Sequence, residues 1–317
     1  MVKLKKGLRA VKDIELSGKD RVSEILEMMK KAGGFVGREL GEGIDILERM
    51  VKDDSCTTFL SFPAAPVATG LRGVLKELVK RKLAQVVITT SGTLDHEVAR
   101  SWSNYYQGSF HLDDSELYKK GFHRLGSVLI PKECYGPPIE KKLQPFLENL
   151  YRRGKKELCS SELVSYLGEW LNDEASILYW ASKNKIPVFV PGIIDGAVGS
   201  QLWLFFQRHR DFKVDLLKDE QILADIVYSA KRTGALMIGG GITKHHTLWW
   251  NQFRGGLDYA VLITTAVEYD GSLSGAEVRE AVSWGKVGLR ARHVTIHGEA
   301  TALLPFMVAS LLERLGT

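Results

Sequence analysis

From residue 84 onward, short apolar runs rich in β-branched residues recur along the chain: "AQVVITT" (84–90), "GSVLIP" (126–131), "IPVFVPG" (186–192), "GALMIGGG" (234–241), "DYAVLITT" (258–265) and "RHVTIHG" (292–298). Runs this short, apolar on both faces of an extended chain, predict strands covered on both sides. Between them, "GLRGVLKELVKRK" (70–82), "SELVSYLGEWLNDEASILYWASKN" (161–184) and "DEQILADIVYSAKRTG" (219–234) space apolar residues three and four apart, the signature of one helical face. The Ser160–Ser161–Glu162 opening predicts a helix start, with a hydroxyl capping the first turn and an acid at its positive end. Alternating strands and helices predict an α/β fold: a doubly wound, mostly parallel, Rossmann-like sheet.

The first sixty residues carry a different pattern. "RVSEILEMMKKAGGFVGRELGEGIDILERMVKD" reads as two amphipathic helices broken at Gly33–Gly34, without strands. The expectation is an N-terminal helical segment, residues 1–55, appended to an α/β body, residues 56–317, and packed on that body or on a neighbouring subunit. No linker, low-complexity tract or internal repeat divides the chain further.

Composition narrows the function classes. With 317 residues, 44% hydrophobic and 26% charged, the chain can bury a large core. The net charge of +5 is spread through mixed runs such as "EKKLQPFLENLYRRGKKE" rather than gathered in a stripe, so no nucleic-acid partner is expected. Cys56, Cys134 and Cys159 are odd in number and lack a CxxC, which fits a reducing compartment and argues against disulfides or structural zinc. The basic opening "MVKLKKGLRAVKD" lacks a signal peptide's apolar run, and no stretch approaches ~20 consecutive apolar residues. A soluble, cytoplasmic protein without membrane contact is the expectation.

In open α/β sheets ligands bind beyond the carboxyl ends of the strands. The segments there are "TTSGTLDHE" (89–97), "GIIDGAVGS" (192–200), "GGGITKHH" (239–246) and "TTAVEYDGSLSG" (264–275). Their glycines admit a ligand close to the backbone, hydroxyls and helix-start N–H groups suit phosphate, and a carboxylate suits a ribose hydroxyl. No strict GxGxxG and no P-loop lysine is present, and each cluster alone is more readily a tight turn than a cradle; four at successive strand ends point to a dinucleotide. His245 and His246 diverge by about 100° on a helix and have no zinc-like partner spacing, so no metal is expected and one orienting or substrate-binding histidine remains. Neither a GxSxG elbow nor an activated thiol is seen. Lys286, in "EAVSWGKV" (280–287), reads two ways. It is a solvated lysine on a helix beginning near Ser274, or an amine held against Trp284, with Gly285 permitting close approach and Glu280 six residues back. A neutral amine in apolar surroundings forms imines. Periodicity leaves both open.

The run "GGGITKHHTLWWNQFRGGLDYAVLITTAVEYDGSLSGAEVREAVSWGKV" (239–287) resembles the signature region of deoxyhypusine synthase. The likeness continues in "GGFVGREL" (33–40), "VVITTSG" (86–92), "GFHRLGSVLIP" (121–131) and "NKIPVFVPGIIDGAVG" (184–199), and so covers nearly the whole chain. The resemblance implies an NAD-dependent transferase, usually a homotetramer with active sites shared across a dimer interface. Such an enzyme oxidises spermidine with NAD and moves the resulting butylimine onto its own lysine. It then passes the group to a lysine of the translation initiation factor 5A precursor and reduces the product imine with the retained NADH. On this resemblance Lys286 matches the imine-carrying lysine and Trp284 the ring lining the polyamine channel. His245, a candidate base, and Glu280 match polyamine-contacting positions. Thr90, Ser91, Gly92, Asp195, Gly240, Thr265, Ala266, Glu299 and Ala300 fall where the family holds NAD, with Asp270 and Gly271 close by.

Four polyamine positions depart from the eukaryotic pattern. Asp95 keeps a carboxylate one carbon shorter, while His96, Ser200 and Leu273 stand where acids are expected. Near the first cofactor loop, "SFPAAPVATG" (61–70) also replaces hydroxyls by alanines and prolines. Burying an unpaired ammonium is costly, so the thinned acids leave three readings. The first is a deoxyhypusine synthase acting on factor 5A. The second is a paralogous NAD-dependent aminoalkyl transferase with another amine donor or a small-amine acceptor, as in homospermidine formation. The third is a non-catalytic binding partner of the same fold, against which the intact Lys286 weighs.

Overall fold

The computed structural model describes residues 9–316. The first eight residues of the basic opening, and Thr317, lie outside the described residues. Six strands form the central sheet: β1 (Cys56–Phe62), β2 (Val86–Thr89), β3 (Val188–Phe189), β4 (Arg232–Ile238), β5 (Leu257–Thr264) and β6 (Val287–His297). Their spatial order is β3-β2-β1-β4-β5-β6, and every pairing is parallel. The order reverses between β1 and β4, so the doubly wound fold carries its ligand crevice beyond the carboxyl ends of those two strands.

Side chains alternate across the sheet with period two. Leu60, Val87, Leu236 and Val261 enter the core on one face. Their neighbours Phe59, Ile88, Met237 and Leu262 enter a second core on the other. This is why the strand runs are apolar throughout. The N-terminal helices, Val22–Ala32 and Phe35–Lys52, turn at Gly33, whose positive φ of 77° closes the first helix. They join the first of these cores: Ile44 and Leu47 are buried in it with Ile296 and Met307. Gly43 sits so close to β6 that a Cβ there would lie 2.8 Å from Ile296 Cδ1.

Several expectations need correction. "GSVLIP" does not join the parallel sheet. Val128–Pro131 pairs antiparallel with Phe122–Leu125 and Tyr106–Gln107, because Gly126 (φ 59°) and Ser127 close a two-residue hairpin. The central strand β1 is not among the expected strands; it begins inside the first sixty residues, which read as strand-free, and runs to Phe62. Its run "CTTFLSF" hides behind polar threonines that the buried sheet accepts through their β-branched shape. The helix expected over 161–184 is two, Ser160–Leu171 and Ile177–Asn184, broken where Asn172 turns left-handed. At its start the N–H groups of Ser160 and Ser161 are taken by the Asp219 carboxylate, not by a local hydroxyl. Glu162 accepts from the Cys159 N–H. No helix begins near Ser274: residues 274–279 turn, Glu280–Ser283 make a single helical turn, and Lys286 directly precedes β6.

Candidate functional site: a strand-end crevice and a lysine between indoles

The crevice is built by chain segments drawn close together. Beyond β1 the chain passes Pro63 and Ala64; Thr89 Oγ1 donates to Phe62 O across to β2. A Cβ on Gly92 would meet the Ala64 methyl at 2.8 Å, and one on Gly239 would meet Pro63 at 3.5 Å. Gly239 and Gly241 have positive φ (69° and 71°), and the helix Gly241–Asn251 starts without a side-chain cap. Its first N–H groups therefore face the crevice unpaired by side chains, an arrangement that suits an anion. Gly240 is pressed against the loop beyond β5, where a Cβ would lie 2.3 Å from Ser274 Cα.

Thr90 precedes the helix Ser91–Arg100, and its carbonyl accepts from the Thr93 N–H. Ser91 is buried and donates to Ile193 O at 2.8 Å, tying the β2 and β3 loops together. Asp195 lies exposed on that second loop. Beyond β5, the Ala266 N–H bonds the Thr264 hydroxyl, Thr265 is exposed, and Asp270 accepts from the Ser272 N–H beside the left-handed Gly271. Beyond β6, Glu299 caps the helix Ala300–Leu315 through the Ala302 N–H. The eleven expected cofactor positions thus all lie on the segments that follow the carboxyl ends of β2 to β6.

Asp95 and His96 are turned inward. Asp95 is 2% exposed, and its oxygens accept from the Ala197 and Val198 N–H groups and from the Tyr135 hydroxyl. It caps the helix Ala197–Arg208 from outside; burial is the main cause of its raised pKa, with Asp195 adding to it. The His96 ring pairs with the Tyr105 hydroxyl at 2.9 Å, and burial, helped by the Arg100 charge, pushes its pKa down to about 4. Ser200 is exposed and donates to Gly196 O. Leu273 is partly exposed on the β5 loop.

Lys286 is placed differently. Its Nζ lies 5.2 Å from the centre of the Trp284 ring and 5.5 Å from that of Trp249. Trp249 in turn stacks on His245, with centroids 5.6 Å apart and planes inclined by 26°. Burial first, then the charge of Lys286, lowers the His245 pKa, which favours the neutral ring. Trp284 is 67% exposed. Eight residues of helix separate Trp249 from Gly241, about 12 Å at 1.5 Å per residue, and Lys286 lies at the amino end of β6 opposite Leu257. Within one chain the lysine is therefore set well below the glycine loop.

Two residues here were not anticipated. Trp249 follows His245 by four residues and so shares its helical face, a spacing readable in "HHTLW". Lys244, 1% exposed, donates to the carbonyls of Leu273, at 2.8 Å, and Ala276. Nothing in the sequence distinguishes this buried lysine from a surface one. Among the described residues no three potential metal ligands cluster, and no helix is long and apolar enough to cross a membrane. A groove of about 960 Å³ lies at the amino ends of the strands, lined by Arg49, Arg232, Arg290 and Arg292 among others; it shares that edge of the sheet with Lys286, two residues before the lining Gly288, and lies away from the glycine loops.

Comparison with known proteins supplies the family. The profile of the deoxyhypusine synthase family matches residues 24–311. A probable deoxyhypusine synthase of Picrophilus torridus is 54% identical over 303 residues, covering 96% of this chain and 97% of its own. Another, from Thermoplasma acidophilum, is 53% identical with the same coverage. A solved Entamoeba histolytica structure, provisionally assigned to the same enzyme, superposes with a TM-score of 0.65 at 21% identity, covering 95% of this chain and 96% of its own. That likeness speaks for the fold, and the sequence relatives speak for the chemistry class. This chain belongs to the deoxyhypusine synthase family and is a transferase.

Proposed function

We propose that the protein transfers the 4-aminobutyl group of spermidine to a lysine of the factor 5A precursor, using NAD. The observation that carries this reading is the convergence on Lys286 of two indoles, one of them stacked on His245, in a chain whose strand ends form a separate anion-suited crevice. The crevice fits a dinucleotide: the uncapped helix start at Gly241 suits a pyrophosphate, and Gly239 and Gly240 leave no side chain in the way. Thr90, Ser91, Gly92, Asp195, Gly240, Thr265, Ala266, Asp270, Gly271, Glu299 and Ala300 are its proposed lining.

NAD, when bound, would supply the hydride acceptor for the substrate carbon beside nitrogen and the hydride source for the closing reduction. The chain's own residues do the rest. His245, neutral, takes a proton from the amine to be oxidised, because an ammonium cannot release hydride from its neighbouring carbon. Lys286 Nζ attacks the resulting imine carbon; the C–N bond to the three-carbon diamine breaks, and that diamine leaves with the nitrogen. Trp284 and Trp249 flank the lysine-bound imine with ring faces, and cover against water is completed by the assembled enzyme. The acceptor lysine then displaces Lys286, and the new imine is reduced, so no net oxidation results. Because the lysine and the glycine loop are far apart in one chain, the reading includes a homotetramer whose sites join one subunit's crevice to another's Lys286.

Amine recognition favours a second reading at one point. Asp95 spends its oxygens on the backbone and Tyr135, and Ser200 and Leu273 carry no charge. Of the expected amine-binding positions, this leaves Glu280 as the carboxylate with free oxygens. That favours a donor or acceptor amine with fewer charges, as in a homospermidine-forming relative. The test is incubation with NAD and labelled spermidine, with and without factor 5A precursor, followed by borohydride trapping. Label on both Lys286 and the precursor supports the first reading; label on Lys286 alone supports the second; none with any amine overturns both.

A further inference from the structure

Unlike the buried Arg72, which is paired with Glu97 and Asp173, the buried Lys244 side chain bonds carbonyls, and the mechanism above does not use it. It leaves the second turn of the helix Gly241–Asn251, is 1% exposed, and gives two N–H bonds to the carbonyls of Leu273 and Ala276. Those carbonyls belong to the connection between β5 and Glu280, a stretch that is mostly exposed and contains no regular element longer than a single turn. The same connection folds tightly on itself: Gly275 and Ala276 both donate to Ser272 O, and a Cβ on Gly275 would lie 1.9 Å from Val267 O. It also presses on the glycine loop through Ser274 and Gly240.

A cation held this deep costs free energy unless something requires it there. Burial lowers its pKa to about 8, and the one charge that works against this is Glu280. A methionine or leucine would fill the same space more cheaply, but would leave two carbonyls of an irregular loop without donors. What the lysine secures is geometry. It joins the helix that opens the crevice to the loop that forms the crevice's far wall, and its charge lies in the field of the remaining amine-site carboxylate.

We infer that Lys244 is a positioning residue: its amine staples the 265–279 connection to the glycine-loop helix, fixing the width of the dinucleotide crevice. It touches no reacting atom. The inference rests on the crevice proposed above being the NAD site.

Two variants test it. Lys244→Met removes both donors, and Lys244→Gln keeps an amide that donates to at least one carbonyl. In Lys244→Met the Kd for NAD should rise about tenfold, while borohydride-trapped label on Lys286 at saturating NAD stays within about threefold of the parent. Lys244→Gln should recover part of the lost NAD affinity. Chymotryptic cleavage at the exposed Tyr269 should be faster in Lys244→Met by a similar factor, a readout that needs no NAD. If the parent itself fails to bind NAD, the crevice assignment fails while the cleavage rates still judge the staple. An unchanged cleavage rate overturns the inference. So does an unchanged Kd in a parent that binds NAD, and so does failure of both variants to fold, which would make Lys244 a core element.

Discussion

The strand-end crevice and the Lys286 cluster are built on opposite principles. The crevice is closed internally: Ser91 to Ile193, Asp95 to Ala197 and Val198, and Lys244 to Leu273 and Ala276 lock its loops to one another with directional bonds. The Lys286 side chain makes no hydrogen bond among the described residues, and its surroundings are ring faces at more than 5 Å, one on a tryptophan two-thirds exposed. A cofactor held through many turnovers needs preformed donors. A lysine that must meet one amine, release it and meet another needs reach and a wall that does not compete for its lone pair. The difference predicts that substitutions in the crevice loops act on stability and cofactor affinity, while those around the lysine act on transfer.

The largest effect should come from Lys286→Ala. Transfer and the borohydride-trapped adduct should fall more than a thousandfold, about 4 kcal/mol in barrier terms, with NAD binding within twofold of the parent. Near-normal transfer would remove Lys286 from the chemistry and dissolve the contrast.

Asp95→Ala comes next. It strips the acceptor from two helix-start N–H groups and a tyrosine hydroxyl, so unfolding free energy should drop by about 3 kcal/mol, read from the denaturant midpoint. An unchanged midpoint with a raised KM for the amine would instead move Asp95 to the amine site, as its family position implies.

A pH series sharpens the same point. Burial is the main cause that pushes His96 and His246 down to about 4, with the Arg100 charge adding to it at His96, whereas in the unfolded chain they titrate near 6.5. Between these values the unfolded chain binds protons that the folded one refuses. Stability is therefore full above about pH 6.5 and falls as pH drops toward 4, by roughly 2 kcal/mol per ring at pH 5. His96→Asn should remove one ring's share of that slope; a slope unchanged in the variant would show that His96 is already solvated.

Much of this was legible in the chain. Five of six sheet strands announce themselves as short apolar runs, and the glycine clusters mark their carboxyl ends because close backbone approach leaves no other residue type. β1 escaped because Thr57, Thr58 and Ser61 mimic a surface pattern, although the latter two are fully buried. The hairpin strand at Val128 was misassigned because period and composition do not encode which sheet a strand joins. At the site, Lys286, His245 and Trp284 are singled out by a long motif, not by spacing. Asp95 reads as a retained acid, yet its partners come from residues 40 and 102–103 positions away, which no local pattern reveals. Lys244 is the sharper case: burial of a lysine is decided by a loop some thirty residues downstream.

The smallest predicted effect tests the aromatic wall itself. Trp249 touches nothing in the crevice; it stacks on His245 and covers one side of Lys286. A ring face over a cation stabilises it by about 0.5 to 2 kcal/mol, and a positively charged donor amine entering beside Lys286 meets the same face. Trp249→Ala should therefore raise KM for the amine about tenfold, near 1.4 kcal/mol, with kcat within twofold and NAD affinity unchanged. Trp249→Phe should keep most of the affinity, since the face remains. If kcat falls instead while KM holds, the indole acts by orienting His245 for proton transfer. If Trp249→Ala changes neither, the wall around Lys286 is supplied from outside this chain, and the open side of the comparison belongs to the assembled enzyme.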